Sequence, residues 1–253
     1  MEITSDRHSI AFQRMAASSK KLLPDLLKAE AKIIFTNVAK FTPPASAGVT
    51  GRAAGKQGRD KVAADIRSLY GTPSDAYEAI HTPAKASAFW FLHQQHDDTA
   101  AQAILRGAAG KSFGPFDDGT LHRRNPPGRS RRRRRDNRDA IYFVTDPTAL
   151  SAYIVKEQGH VWWMASGWRE GLQRLGAKLP TGVGSLPAPG YLKVIITGTK
   201  LEITMGNEVK FARQVRDIER RVQWAITRRA DALDRMWKAY IDKLANTTGL
   251  RRR

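Results

Sequence analysis

Between Lys20 and Phe41, apolar residues return every three or four positions: Leu23, Leu27, Ile34, Val38 and Phe41, with Leu22, Leu26 and Ile33 beside them. That period predicts an amphipathic helix. Pro24 is tolerated only in a first turn, so the helix starts near Leu22 or Leu23, and Thr42-Pro43-Pro44 stops it. The next stretch, "ASAGVTGRAAGKQG", is small and glycine-rich and reads as a flexible loop. Val62, Ile66 and Leu69 then line one side of a short helix over Asp60 to Tyr70, which Gly71-Thr72-Pro73 stops. Ser74 with Asp75 starts a helical turn through Ile80, Thr82-Pro83 opens "AKASAFWFLHQQ", and Asp97 or Asp98 caps a short helix through Arg106.

The periodicity fails between residues 107 and 140, a Gly/Pro-rich span with almost no spaced apolar residues, which predicts a long exposed loop. Pattern resumes with "AIYFVT", a strand rich in β-formers. A helix follows with Asp146 as cap, Pro147 at its first position and Gly159 at its end. "HVWWMASGWREGLQRLG" is helical in its second half, and "AKLPTGVGSLPAPG" is a further loop. "YLKVIITG" and "KLEITMG" are β-branched runs around the turn signal Gly198-Thr199 and predict a β-hairpin, with Glu202 and Thr204 alternating with Leu201, Ile203 and Met205. Phe211, Val215, Ile218, Val222, Ile226, Leu233, Trp237, Tyr240 and Leu244 then form one apolar stripe. It fits a terminal helix of roughly 35 residues, about 50 Å long.

The fold class expected is α+β: helices, a small antiparallel sheet, a long C-terminal helix and a long Arg-rich loop. The expected organisation is an N-terminal arm over 1–19, a helical region over 20–106, the exposed loop over 107–140 and an α+β region over 141–253. Residues 20–253 are read as one domain.

Charge changes this picture. The chain of 253 residues carries a formal net charge of +19, and most of the excess sits in two places. Residues 111–140 hold ten Lys/Arg against four Asp/Glu, and residues 208–253 hold thirteen against six. Five consecutive arginines occur in "GRSRRRRRDN". Arg123, Arg124, Arg129, Arg131, Arg132, Arg133, Arg134, Arg135 and Arg138 are therefore candidates for contact with nucleic acid or an acidic partner. A string of arginines between glycines and prolines supplies charge without the rigid frame that base readout needs. Along the last helix, Arg216, Arg220, Arg221, Arg228 and Arg229 fit acidic-partner contact or plain solvation equally.

Candidate chemistry is sparse. The absence of cysteine excludes disulfides and thiolate metal sites. No apolar run reaches the roughly 18 residues of a membrane helix, and "MEITSDRHSI" lacks the order of a secretory signal, so a soluble chain without membrane partners is expected. "LRGAAGKS" ends like a phosphate-binding loop but has Leu105 at the first glycine position, and "GRAAGKQG" has Gln57 in place of the hydroxyl. His93 and His96 precede Asp97 and Asp98 without an evident third metal ligand. No catalytic residue, metal or cofactor is assigned. Trp162, Trp163 and Trp168, with Phe211, Val215, Ile218, Val222 and Trp237, are read as core or subunit-interface positions.

A β-hairpin that ends in "LEITMGNEVKFARQV" and enters a long helix, after an early helix carrying "AKFTPPASAGVTGRAAG", resembles the head–tail joining and tail-completion proteins of long-tailed bacteriophages, minor tail protein Z-like chains among them. Residues that carry the likeness are Pro43-Pro44, Thr50-Gly51, Asn207 and Phe211-Ala212, over about 20–55 and 190–245. The interior 56–190 has no counterpart, and "RQVRDIERR" replaces the family's apolar follow-on. The resemblance implies a structural virion protein assembled in the host cytoplasm, a homo-oligomeric ring in the neck around double-stranded DNA. Its other partners would be neck, tail or portal-adaptor proteins. The competing expectations are a free, sequence-independent nucleic-acid-binding protein and a hydrolase using His160 or the His93/His96 pair.

Overall fold

The computed structural model describes residues 23–46, 48–125, 140–197, 201–210 and 218–248. It is a mixture of helices, a two-stranded antiparallel sheet and a three-stranded parallel sheet. The chain divides into two compact units, one formed by residues 1–56 and 161–253, the other by 57–160.

In the first unit, α1 spans Leu23–Phe41, and α2, Gly51–Arg67, begins here. After residue 160 come α8 (Trp163–Ser166), α9 (Arg169–Arg174), β4 (Gly190–Ile196), β5 (Leu201–Asn207) and α10 (Ile218–Thr248). β4 and β5 pair antiparallel from Gly190 opposite Asn207 to Ile196 opposite Leu201. The hairpin's turn, Gly198-Thr199, lies outside the described residues. Val38, Ala39, Ala165, Trp168, Leu172, Met205, Val222 and Ala225 form the core, so α1, the tryptophan segment, the hairpin and α10 all contribute to it.

The second unit holds the rest of α2 and then β1 (Tyr70–Gly71), α3 (Pro73–Ala79), α4 (Pro83–Gln94), α5 (Asp98–Ala109), β2 (Ser112–Gly114), α6 (Thr120–Arg124), β3 (Tyr142–Val144) and α7 (Pro147–Gly159). β3 lies between β1 and β2 and is parallel to both. Phe89, Leu105, Phe113 and Phe143 fill one apolar cluster. Ile66, Leu69, Tyr70, Val144, Leu150 and Tyr153 fill another.

Local side-chain caps explain the starts of α3, α5 and α7. Thr72 accepts the Asp75 N–H while Asp75 accepts the Thr72 N–H, so the cap is Thr72, two residues ahead of the expected Ser74, and α3 starts at Pro73. Asp97 accepts the Ala100 N–H and Asp146 the Thr148 N–H, as expected for α5 and α7.

Three expectations are corrected. "GRAAGKQG" is not a loop: it is the start of α2, and Asp60 to Arg67 is that helix's second half. Its glycine at 55 serves close approach, because a Cβ there would lie 2.8 Å from the Trp162 Nε1. Tyr70 is not a helix end but opens β1, where it is fully buried. Residues 107–125 are not an exposed loop: α5 runs to Ala109, and β2 and α6 follow, with Phe113 and Gly114 buried. Tertiary pairing with β3 holds this segment in place of any periodic apolar pattern.

Candidate functional site

Among the described residues, the densest polar cluster forms in the 57–160 unit around α6. Asp117, just after β2, caps this short helix by accepting the N–H groups of Gly119 (3.1 Å) and Leu121 (2.8 Å). It also accepts the Tyr70 hydroxyl at 2.5 Å, and that hydroxyl in turn accepts the His122 N–H at 3.2 Å. The cap thereby aims the His122 ring between two other helices. Its Nε2 stands 3.0 Å from Asp65 Oδ2 on α2, and its Nδ1 stands 2.9 Å from the Tyr153 hydroxyl on α7. Asp65 accepts from Nε2–H, and the Nδ1 lone pair accepts the phenol proton of Tyr153.

This carboxylate–imidazole–hydroxyl order has the connectivity of a nucleophile relay, but its environment opposes that use. Tyr153 is buried, and burial first, then the charge of Glu157, pushes its phenol above the ordinary value, with Arg123 pulling the other way. Burial and the bond to Asp117 push Tyr70 up more strongly. The Tyr153 hydroxyl is spent on the His122 bond inside the core rather than presented at the surface. The arrangement joins α2, β1, α6 and α7 into one body.

The sequence pattern had not distinguished His122, because Asp65 and Tyr153 are 57 and 31 residues away from it. His93, singled out with His96, bonds Asp98 at 3.1 Å, while Asp97 caps α5 and His96 is exposed. His160 lies 3.7 Å from Glu157. No group of three His, Cys, Asp or Glu able to hold a metal occurs among the described residues. In the same set, no helix is long and apolar enough to cross a membrane. The "LRGAAGKS" segment is the end of α5, with Gly110 as its left-handed C-cap (φ 63°), and it forms no phosphate cradle.

The arginine candidates separate. Arg123 and Arg124 are exposed on α6, and Arg123 donates to the Asp118 carbonyl and to Thr120 Oγ1. Arg129, Arg131, Arg132, Arg133, Arg134, Arg135 and Arg138 lie outside the described residues. On α10, Arg229 turns inward to Glu30, and Arg221 donates to the carbonyls of Phe41 (3.2 Å) and Ala45. Arg229 thus ties α10 to the middle of α1, and Arg221 ties it to the end of α1 and the residues just after.

Of the apolar candidates, Trp168 is buried in the first unit's core, and its indole N–H donates to Thr42 Oγ1 at 2.9 Å. Trp162 packs half-buried on the same core, and Trp163 is also half-buried. Val222 is buried and Ile218 half-buried on α10. Phe211, Val215 and the Trp237 side chain lie outside the described set. Asn207, one of the residues that carry the resemblance, ends β5 and donates to the Met164 carbonyl at 2.7 Å, so it ties the hairpin to α8.

No protein family, no curated protein and no solved structure matches this chain in comparison.

Proposed function

We propose that this chain is a structural virion protein of a long-tailed bacteriophage, a ring-forming neck or tail-completion component that joins head and tail around the DNA channel. One relationship carries the reading. The two segments that bear the resemblance are separated by more than a hundred residues, yet α1, β4, β5 and α10 share a single core. A small α+β unit built from those elements is what the resemblance implies, with residues 57–160 as an insertion between its halves. Exposed Ile33, Tyr191 and Val194 in that unit supply apolar surface for head-to-tail contact with further copies or with neck, tail and portal-adaptor neighbours. Arg123, Arg124, Arg129, Arg131 to Arg135 and Arg138 supply charge toward double-stranded DNA, independent of sequence. The reading assigns the chain no catalytic step and no cofactor.

Immunogold electron microscopy of purified particles with an antibody to this chain tests it: label at the neck is expected, and particles free of the protein overturn it. The charge concentrated over 111–140 favours one second reading, a free nucleic-acid-binding protein. Under that reading the protein stays in the soluble fraction of lysed cells and never co-sediments with particles. In either case, replacing Arg131 to Arg135 with Ser is expected to flatten the salt dependence of DNA binding. Loss of five phosphate contacts would lower the slope by about 4 on duplex DNA.

A further inference from the structure

At the end of α1 two aromatic rings stand between cations. The Phe41 and Trp224 ring centroids are 4.8 Å apart and their planes 88° to one another. The Lys40 ammonium lies 5.8 Å from the Phe41 centroid, and the Arg228 guanidinium 5.2 Å from the Trp224 centroid. Trp224 keeps 46% of its surface exposed, unusual for so large an apolar side chain. Val222 and Ala225 carry α10's contact with the core, so Trp224 belongs to the outward face. Arg220 and Arg228 are exposed one turn before and one turn after it, and Arg235 is exposed about three turns beyond, with Asp231 offsetting part of the charge. The helix thus divides its arginines: Arg221 and Arg229 are bonded inward, while Arg228 lies exposed over the indole of Trp224.

We infer that Lys40, Phe41, Trp224 and Arg228 form a binding surface for single-stranded nucleic acid. An acidic protein surface is matched by cations alone and gains little from an exposed indole. Duplex DNA offers phosphates but keeps its base faces stacked inside. A single strand offers both phosphates and open base faces, and bases stack on aromatic rings and on guanidinium planes without regard to sequence. An arginine held over an indole has already given up part of its side-chain freedom, so less is lost when it meets a phosphate. This surface belongs to the first unit and stands whether or not the chain is a virion component.

Fluorescence anisotropy of labelled oligothymidine and of a duplex of equal length, titrated with the full chain, tests the inference. Trp224→Ala should weaken oligothymidine binding by about tenfold, the scale of one lost base stack, and leave duplex binding unchanged. Its salt slope should match wild type, whereas Arg228→Gln should lower the single-strand slope by about 0.7. Trp224→Phe keeps a ring on Phe41 and should retain most of the affinity, which separates stacking from the packing of α10. The inference is overturned if Trp224→Ala and Arg228→Gln bind oligothymidine as wild type does. Equal losses on both ligands, or polyglutamate competing as well as oligothymidine, also overturn it.

Discussion

Arg229 on α10 grips Glu30 on α1 with two parallel hydrogen bonds of 2.7 Å, from Nε to Oε2 and from Nη2 to Oε1, across 199 residues of sequence. Glu30 is 6% exposed, so neither charge is well hydrated. The hydrogen bonds to Glu30 raise the arginine's pKa further, against the opposing effect of burial. Breaking such a pair from one side leaves a charge buried without a partner, which costs about 3–5 kcal/mol. Arg229→Met is therefore expected to lower urea-unfolding stability by roughly that amount. The double variant Glu30→Leu/Arg229→Met should recover much of the loss, because the stranded carboxylate is gone. A double variant no more stable than Arg229→Met would show that the pair does not act as a unit.

Thr42 and Trp168 give a second, uncharged tie. Thr42 Oγ1 donates to the Val38 carbonyl at 2.8 Å and accepts the Trp168 indole N–H at 2.9 Å, with Thr42 itself buried. Thr42→Val keeps the shape but removes the acceptor, leaving a buried N–H unmet at about 1–3 kcal/mol. Thr42→Ser should stay within about 1 kcal/mol of wild type in the same urea titration, since the hydroxyl remains. Trp168→Phe in the Thr42→Val background should cost less than it does alone.

The parts of this fold that could be read from sequence are those with local causes. α7 has its cap, its proline and its closing glycine within fifteen residues, and the β4–β5 hairpin has seven residues in each strand, with Leu201, Ile203 and Met205 alternating with Glu202 and Thr204 in β5. Of the parallel sheet only β3 showed, through the β-formers of "AIYFVT"; β1 is two residues long and β2 three, too short for a period of two to register. Its existence depends on Phe113, Phe143 and Val144 being buried by helices distant in sequence. The glycines at 55 and 182 looked like signs of flexibility. Each instead leaves room for the ring of Trp162, and Gly182 also has a φ of +86°. The His122 cluster was illegible for the same reason: no spacing rule links residues 65, 122 and 153. Nor could the inward arginines of α10 be told from the others: what sets Arg221 and Arg229 apart is bonds to Phe41, Ala45 and Glu30, more than 170 residues away.

Gly119 tests how tightly that cluster is held. Its φ is +77°, and a Cβ placed there would collide with the ring and hydroxyl of Tyr153, the residue bonded to His122. Gly119→Ala adds both left-handed backbone strain and displacement of a packed ring, so a loss of at least about 2 kcal/mol is expected. Adding Tyr153→Phe should relieve only part of this, because the ring carbons Cζ and Cε2 remain in the way when the hydroxyl is gone. Thermal unfolding followed by near-UV circular dichroism would read both. An unchanged midpoint for Gly119→Ala would mean that α6 shifts freely and that the cluster is loose.

Three of the four tyrosines of the 57–160 unit, Tyr70, Tyr142 and Tyr153, make its alkaline stability predictable in sign. Burial first, then nearby carboxylates, raises the pKa of Tyr70, Tyr142 and Tyr153 above their usual value near 10. A phenol whose pKa is raised by folding is protonated in both states below about pH 10, so its full contribution is present there. Above that pH the unfolded chain ionises while the folded unit does not, and stability falls until the folded pKa is passed. Raising the pH from 8 should leave the far-ultraviolet circular dichroism unchanged to about 10, after which structure is lost together with the appearance of buried tyrosinate. Tyr70→Phe removes the group with the largest shift, so its alkaline transition should be less steep even though its neutral-pH stability drops with the bond to Asp117. Tyrosinate from all three residues appearing well before structure is lost would contradict the raised values.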